Sequence, residues 1–125
     1  MELGLTSPVR VTFVKYGPMS DQGGRYVRLG ETGHRLSVCG HATPREASSI
    51  LWHELAHAVQ VERLGGHRLF EQLWARELRE AGISWRQLRE SAYSVRAYRS
   101  MPLEREADRV AAACGRVRLV GRLGD

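Results

Sequence analysis

The chain has 125 residues, of which 42% are hydrophobic and 26% charged, and its formal net charge is +5. This length predicts one domain over residues 1–125, and the composition is typical of a globular rather than a disordered protein. No apolar run approaches the ~20 residues needed to span a bilayer. The N-terminus lacks the basic start and apolar stretch of a signal peptide. We therefore expect a cytoplasmic protein with no membrane partner.

Arginine supplies nearly all of the positive charge, because 18 of the 19 basic residues are arginines and Lys15 is the only lysine. The arginines recur through helical segments instead of forming one block, which is typical of solvated helix faces. Charge alone leaves a nucleic-acid partner possible. Two cysteines, Cys39 and Cys114, are too few for a framework of disulfides and fit reduced thiols. The sequence leaves the oligomeric state open.

Three short strands are predicted in the first forty residues. Apolar and polar residues alternate over residues 9–14, 25–29 and 34–39, and segments rich in glycine and small polar residues separate them. Because their connections are brief, we expect neighbouring strands to be antiparallel. The sequence thus predicts a short antiparallel or mixed three-stranded sheet.

From residue 43 the hydrophobic period becomes helical. Thr43 and Glu46 form a capping-box pattern with Pro44 between them at the first helical position. This pattern predicts a helix to about Leu64, where Gly65 and Gly66 provide the stop. Three further helices are predicted, over about residues 67–81, 84–98 and 102–115. The tail, residues 116–125, is either a last strand or mobile. A three-stranded sheet followed by about four helices is an α+β arrangement.

The informative segment is His53-Glu54-Leu55-Ala56-His57, in the middle of the first predicted helix. Residues four apart lie on one helix face, so both imidazoles can reach one zinc ion, with Glu54 beside them to activate a water molecule. On a helical wheel Glu54 falls within an apolar arc, where a carboxylate is costly unless it is paired, protonated or linked to a metal. The alternative explanation for Glu54 is a salt bridge to an arginine of a neighbouring helix.

A zinc site needs a third protein ligand, and the last predicted helix offers one. A helical wheel places Glu104 and Asp108 at the edge of the apolar face of this helix and Glu106 on the side that faces solvent. Glu104 is therefore the predicted third ligand. Asp108, one turn later, can accept a hydrogen bond from a ligand histidine and fix its tautomer.

Two other kinds of zinc site fit less well. The astacin- and matrix-protease-like pattern requires glycine and histidine at the positions that Gln60 and Arg63 occupy, so that class is excluded. A deformylase-like site would take an upstream cysteine as ligand. Cys39 lies only 14 residues before His53 and has the wrong neighbours, so it is a weak candidate.

The segment His53–His57, followed 47 residues after His57 by Glu104 to Asp108, resembles the gluzincin zinc metallopeptidases. The small size resembles the minimal single-domain members called minigluzincins. This resemblance implies a small zincin-like fold and a zinc-dependent endopeptidase. Zn²⁺ would be bound by His53, His57 and Glu104, and Glu54 would be the general base for a zinc-bound water that attacks the peptide carbonyl.

The resemblance also implies a tyrosine, histidine or arginine that stabilises the oxyanion. Tyr98 is the candidate, with Tyr93 and Arg99 as alternatives. The strand at residues 34–39 is the candidate edge strand for pairing with an extended peptide substrate. The histidines expected to take no part are His34, His41 and His67.

The alternative to an enzyme is a non-catalytic or latent zinc-binding module, associated with nucleic acid or with a partner protein. An intact Glu54 argues against a purely structural zinc, which would have a protein ligand in its fourth position. However, the chain offers little beyond the zinc helices to build the second half of a cleft, which larger gluzincins take from a C-terminal subdomain. Completion by a partner, weak activity and latency through Cys39 or a tail residue all stay open.

Overall fold

A computed structural model describes residues 5–14, 24–30, 33–39 and 43–114. Within these residues the chain is an α+β protein with a three-stranded sheet followed by five helices, so the predicted class is confirmed. The strands are β1 (Val9–Val14), β2 (Gly24–Leu29) and β3 (Gly33–Cys39). The helices are α1 (Pro44–Leu64), α2 (His67–Glu80), α3 (Trp85–Arg89), α4 (Val95–Ser100) and α5 (Pro102–Cys114).

The sheet is mixed, with strand order β1-β3-β2. β1 runs parallel to β3, with Val9 opposite His34, whereas β2 runs antiparallel to β3, with Gly24 opposite Val38. The expectation of antiparallel neighbours is therefore wrong for the β1–β3 pair. The prediction that residues 34–39 form an edge strand is also wrong, because β3 is the central strand and β2 forms one edge of the described sheet.

The burial of β3 accounts for its central position. Leu36 and Val38 are almost completely buried and pack against Leu51 of α1, so this strand carries the apolar face of the sheet. β2 and β3 pair as antiparallel neighbours as far as Leu29 opposite Gly33, and Gly30, just after β2, has a φ of +65° that favours glycine. β1 then adds to the other side of β3. The sequence pattern predicts each strand but not this order. Alternation of apolar and polar residues shows which face of a strand is buried, but not which strand lies beside it.

Helix α1 begins and ends where the sequence predicts. The Thr43 side chain accepts a hydrogen bond from the backbone N–H of Glu46 over 3.2 Å, which satisfies one of the unpaired amides of the first turn. At the other end Gly65 adopts a left-handed conformation with φ of 97°, which stops the helix. This 21-residue helix spans the domain core.

The third predicted helix, over residues 84–98, is wrong as a single element, because α3 and α4 occupy this stretch. Ser84 does form the predicted capping box with Gln87. However, Ser91 takes a positive φ of 52°, which a continuous helix does not allow. Ser94 then caps a new helix by accepting from the backbone N–H of Ala97 over 3.1 Å. Serine side chains that bond to the local backbone compete with helix continuation here.

Helix α1 is packed on more than one side. One face covers the sheet, while other positions contact α5 and α2. Trp52 packs with Ala111 and Cys114 of α5, and further along the helix Val61 forms a cluster with Phe70 and Leu103. The middle of α1 is thereby held between the sheet and α5. No helix in the described part of the chain is long and apolar enough to cross a membrane.

Gly24 marks the point where β2 lies closest to α1. A Cβ atom at this position would overlap the Ile50 Cγ2 atom and would lie 3.4 Å from Cγ of Glu54. We expect Gly24→Ala to lower the free energy of unfolding by about 1–3 kcal/mol, because the β-branched Ile50 cannot move aside cheaply. Urea denaturation measures this change. The exposed neighbour Arg25 is the control, and an equally small effect of Gly24→Ala and Arg25→Ala would contradict the close approach of strand and helix.

Candidate metal centre

Helices α1 and α5 bring together the three predicted metal ligands. His53 and His57 lie one turn apart in the middle of α1, and Glu104 lies in the first turn of α5. One ligand atom from each residue lies within 4.8 Å of the others, so the three side chains could hold a metal ion. His57 and Glu104 are 5% and 2% exposed, and His53 faces the cleft described below.

The distances within this triad fit a small tetrahedral cation. The Nε2 atoms of His53 and His57 lie 3.2 Å apart. The Glu104 carboxylate reaches both rings, with Oε1 3.2 Å from His53 Nε2 and Oε2 3.0 Å from His57 Nε2. Zinc bonds of about 2.0–2.1 Å in a tetrahedron would place neighbouring donors about 3.3 Å apart. Two imidazoles and a carboxylate are also a donor set that zinc accepts, so the residues present fit this metal.

The charge of the triad also favours a cation. Burial alone would raise the pKa of Glu104, but hydrogen bonds from His53 and His57 hold it well below its usual range. Burial alone would lower the pKa of His57, but the Glu104 carboxylate outweighs it and raises the pKa of His57 to about 9. The buried carboxylate is therefore ionised, and the positive charge that balances it is either a proton on the imidazoles or a metal cation in its place.

One further donor reaches the Glu104 carboxylate. The Trp74 indole N–H donates to Oε2 over 3.4 Å. Tyr98 lies near this carboxylate, and burial together with the negative charge of Glu104 raises the pKa of the Tyr98 hydroxyl. Both groups come from outside the helices that carry the ligands.

Asp108 lies where the sequence predicts, one helical turn after Glu104. Its Oδ1 atom lies 2.9 Å from Nδ1 of His53. Because a carboxylate only accepts hydrogen bonds, His53 donates from Nδ1 to Asp108, which leaves Nε2 as the nitrogen available to a metal ion. The side chain of Asp108 is 46% exposed, so the contact is partly open to solvent.

Glu54 is buried beside the triad and is 7% exposed. Within residues 43–114 and the described strands it forms no ion pair, so the alternative of a salt bridge to an arginine is not observed there. Burial raises the pKa of Glu54 to about 6, although the imidazoles of His57 and His53 partly oppose this shift. A carboxylate with such a pKa can take up and return a proton near neutral pH.

A cleft of about 890 Å³ opens onto the triad. One wall is the edge strand β2, and the other is built from α2, α3, α4 and the segments that join them. Tyr98, Tyr93 and Arg99, the three candidates for oxyanion stabilisation, all line this cleft. Tyr93 lies against Tyr98, with ring centroids 5.4 Å apart. The triad is therefore open to the cleft.

Two residues of the site escaped the sequence analysis. Gln60 lies 2.9 Å from His57, and Trp74 contacts Glu104. The helical wheel carries a signal for Gln60, because it falls on the same face of α1 as the two histidines. Nothing in the sequence distinguishes Trp74 from an ordinary core tryptophan.

The other candidates lie apart from the triad or outside the described residues. His34 and His67 are buried, and their Nδ1 atoms lie 2.8 and 3.2 Å from the hydroxyl of Tyr26. They form a polar cluster around Tyr26, and His67 also lines the cleft. His41, the Cys39 side chain and the tail at 116–125 are outside the described residues. Glu106 is turned away from the triad toward Gln60 and Arg63.

Comparison with known proteins adds nothing to this picture. No model of a protein family, no curated protein and no solved structure matches the chain.

The ligand assignment makes a direct prediction about metal content. Purified protein should hold about one zinc ion per chain, and His53→Ala or Glu104→Ala should lose most of it because each removes one of three donors. Metal analysis after dialysis measures this. Glu106→Ala is the control, since it removes a carboxylate from the same helix outside the triad. Zinc retained in Glu104→Ala but lost in Glu106→Ala would reverse the assignment.

Asp108 makes a second prediction. We expect Asp108→Ala to weaken zinc affinity by roughly 10- to 100-fold without unfolding the protein, because the His53 ring loses the acceptor that fixes its tautomer. Competition with a chromophoric chelator measures the affinity. Unchanged affinity would mean that Asp108 is a surface carboxylate with no effect on the site.

Proposed function

We propose that this chain is a zinc-dependent endopeptidase of the gluzincin type, with a small zincin-like fold. The observation that carries the proposal is the meeting of His53, His57 and Glu104, whose ligand atoms lie within 4.8 Å of one another at the base of a cleft. Glu54 is buried beside them with a raised pKa. The order of elements, a sheet followed by the histidine helix and a later glutamate helix, supports the proposed fold.

The two buried glutamates, Glu54 and Glu104, have different roles in the proposed reaction. A zinc ion held by the triad would supply Lewis-acid polarisation of the scissile carbonyl and of a water molecule. Glu54 accepts a proton from the attacking water and delivers it to the amine nitrogen that leaves. Glu104 stays ionised throughout because the two imidazoles hold its pKa low. One glutamate thus moves protons and the other holds the metal.

Tyr98 is the proposed stabiliser of the oxyanion. Its ring lines the cleft and contacts the rings of Trp74 and Tyr93, and burial together with the nearby Glu104 carboxylate raises the pKa of its hydroxyl. The raised pKa keeps the hydroxyl protonated, so it can donate a hydrogen bond to developing negative charge. Tyr93 and Arg99 line the same cleft and are the alternatives.

The substrate is proposed to be a peptide or protein segment bound in extended form. β2, and not the central β3, supplies the edge of the sheet at the cleft, where Arg25 to Arg28 line the wall. An extended peptide can add to such an edge through main-chain hydrogen bonds. The exposed side chains of Arg25 and Arg28 also discourage pairing of this edge with a second copy of the sheet.

Glu54→Gln tests the catalytic proposal. The amide has nearly the shape of the carboxylate but cannot accept the proton of water, so we expect zinc content to be kept and peptide cleavage to be abolished. Removal of a desolvated charge should leave the free energy of unfolding unchanged or slightly higher. The measurements are digestion of an unstructured protein and metal analysis.

Glu106→Gln is the matched control, because it makes the same change of carboxylate to amide on the outer side of α5 and should leave cleavage intact. A chelated sample provides the second control. Cleavage that survives in Glu54→Gln would remove Glu54 from the mechanism. Zinc binding without cleavage of any substrate by the unaltered protein would favour the non-catalytic or latent module.

A further inference from the structure

Gln60 is a fully buried polar residue on the ligand-bearing helix. It lies three residues after His57, and its exposure is 0%. A glutamine in this position is costly unless its amide forms hydrogen bonds, because an apolar residue would pack equally well. The hydrogen-bond partners of the Gln60 amide therefore show why a polar residue occupies this position.

Three contacts settle the orientation of the Gln60 amide. The Nε2 atom lies 2.9 Å from the backbone carbonyl of Leu103 and 3.0 Å from Oε1 of Glu106. The Leu103 carbonyl can only accept a hydrogen bond, so the Gln60 amide faces it with Nε2, and the second N–H of Nε2 is directed to Glu106. Oε1 of Glu106 also accepts a hydrogen bond from the Arg63 guanidinium over 2.9 Å. The amide oxygen is left for the remaining contact.

That remaining contact is with His57. The Oε1 atom of Gln60 lies 2.9 Å from Nδ1 of the His57 ring. Because the amide oxygen can only accept, His57 donates from Nδ1, which leaves Nε2, on the side of His53 and Glu104, as the nitrogen available to a metal ion. His53 likewise donates from Nδ1, and its acceptor is the carboxylate of Asp108. The two ligand rings are thus oriented by different residues on different helices.

We propose that Gln60 is a positioning residue for the metal centre, an inference that rests on the proposed zinc function. It fixes the tautomer and ring orientation of His57, and it ties α1 to the backbone of Leu103, the residue immediately before Glu104. One side chain therefore sets the position of two ligands at once. A partner of this kind is expected to change metal affinity when removed, beyond its contribution to packing.

The test compares zinc affinity in three variants at a temperature at which all of them are folded. Gln60→Met keeps the length of the side chain and removes all three hydrogen bonds, and we expect zinc affinity to fall by roughly 10- to 100-fold. Glu106→Gln keeps an acceptor oxygen for Nε2 of Gln60 and should bind zinc normally. Ile83→Ala is the control for lost stability, because Ile83 is buried in a separate apolar cluster with Leu78 and Met101. It should lower the unfolding temperature and leave zinc affinity unchanged.

The outcomes separate this inference from the proposed function. If the unaltered protein and Gln60→Met bind zinc equally well while Gln60→Met only unfolds at a lower temperature, Gln60 is structural and the inference is overturned, although the zinc site stands. An equal loss of zinc affinity in Ile83→Ala would also overturn it, because that variant keeps every hydrogen bond of Gln60. If the unaltered protein binds no zinc, both proposals are wrong.

Discussion

The buried carboxylate of Glu104 is the constraint on which the rest of the site depends. At 2% exposure an ionised carboxylate is stable only if positive charge and hydrogen-bond donors surround it. The donors come from two helices: the imidazoles of His53 and His57 on α1 and the indole of Trp74 on α2. Packing α5 against α1 without these groups would bury an uncompensated charge. The close α1–α5 contact and the chemistry of the site therefore require each other.

The residues that act along one helix could be predicted from the sequence. His53, Glu54 and His57 are fixed relative to one another by the geometry of α1, and the helix itself is marked by Thr43 and Gly65. The choice of Glu104 over Glu106 follows from the same periodicity applied to α5, and the structure turns the two side chains in opposite directions. The spacing of residues along a helix is therefore enough to predict which side chains share a face.

Features that depend on contacts between distant segments could not be predicted in this way. The central position of β3 depends on how β1 and β2 add to its two edges, while alternation marks only the face that is buried. The break between α3 and α4 depends on the backbone of Ser91, whose neighbours have ordinary helix propensity. Trp74 reaches Glu104 across 30 residues of sequence, and no spacing rule connects them.

Asp108 and Gln60 contact the Nδ1 atoms of His53 and His57. Both residues connect α1 with α5, but from opposite sides. Asp108 extends from α5 to His53 on α1, whereas Gln60 extends from α1 to Leu103 on α5. Each bond that fixes a ligand ring, or the backbone beside a ligand, therefore also holds the two helices in register. A sliding of α5 along α1 would break both contacts at once.

Asp108 and Gln60 also differ in charge. The carboxylate of Asp108 makes His53 a more basic ligand, whereas the neutral amide of Gln60 orients His57 without adding charge to the buried side of the site. A buried centre that already contains Glu54 and Glu104 has no room for a third carboxylate there, and an amide is the group that supplies an acceptor without one.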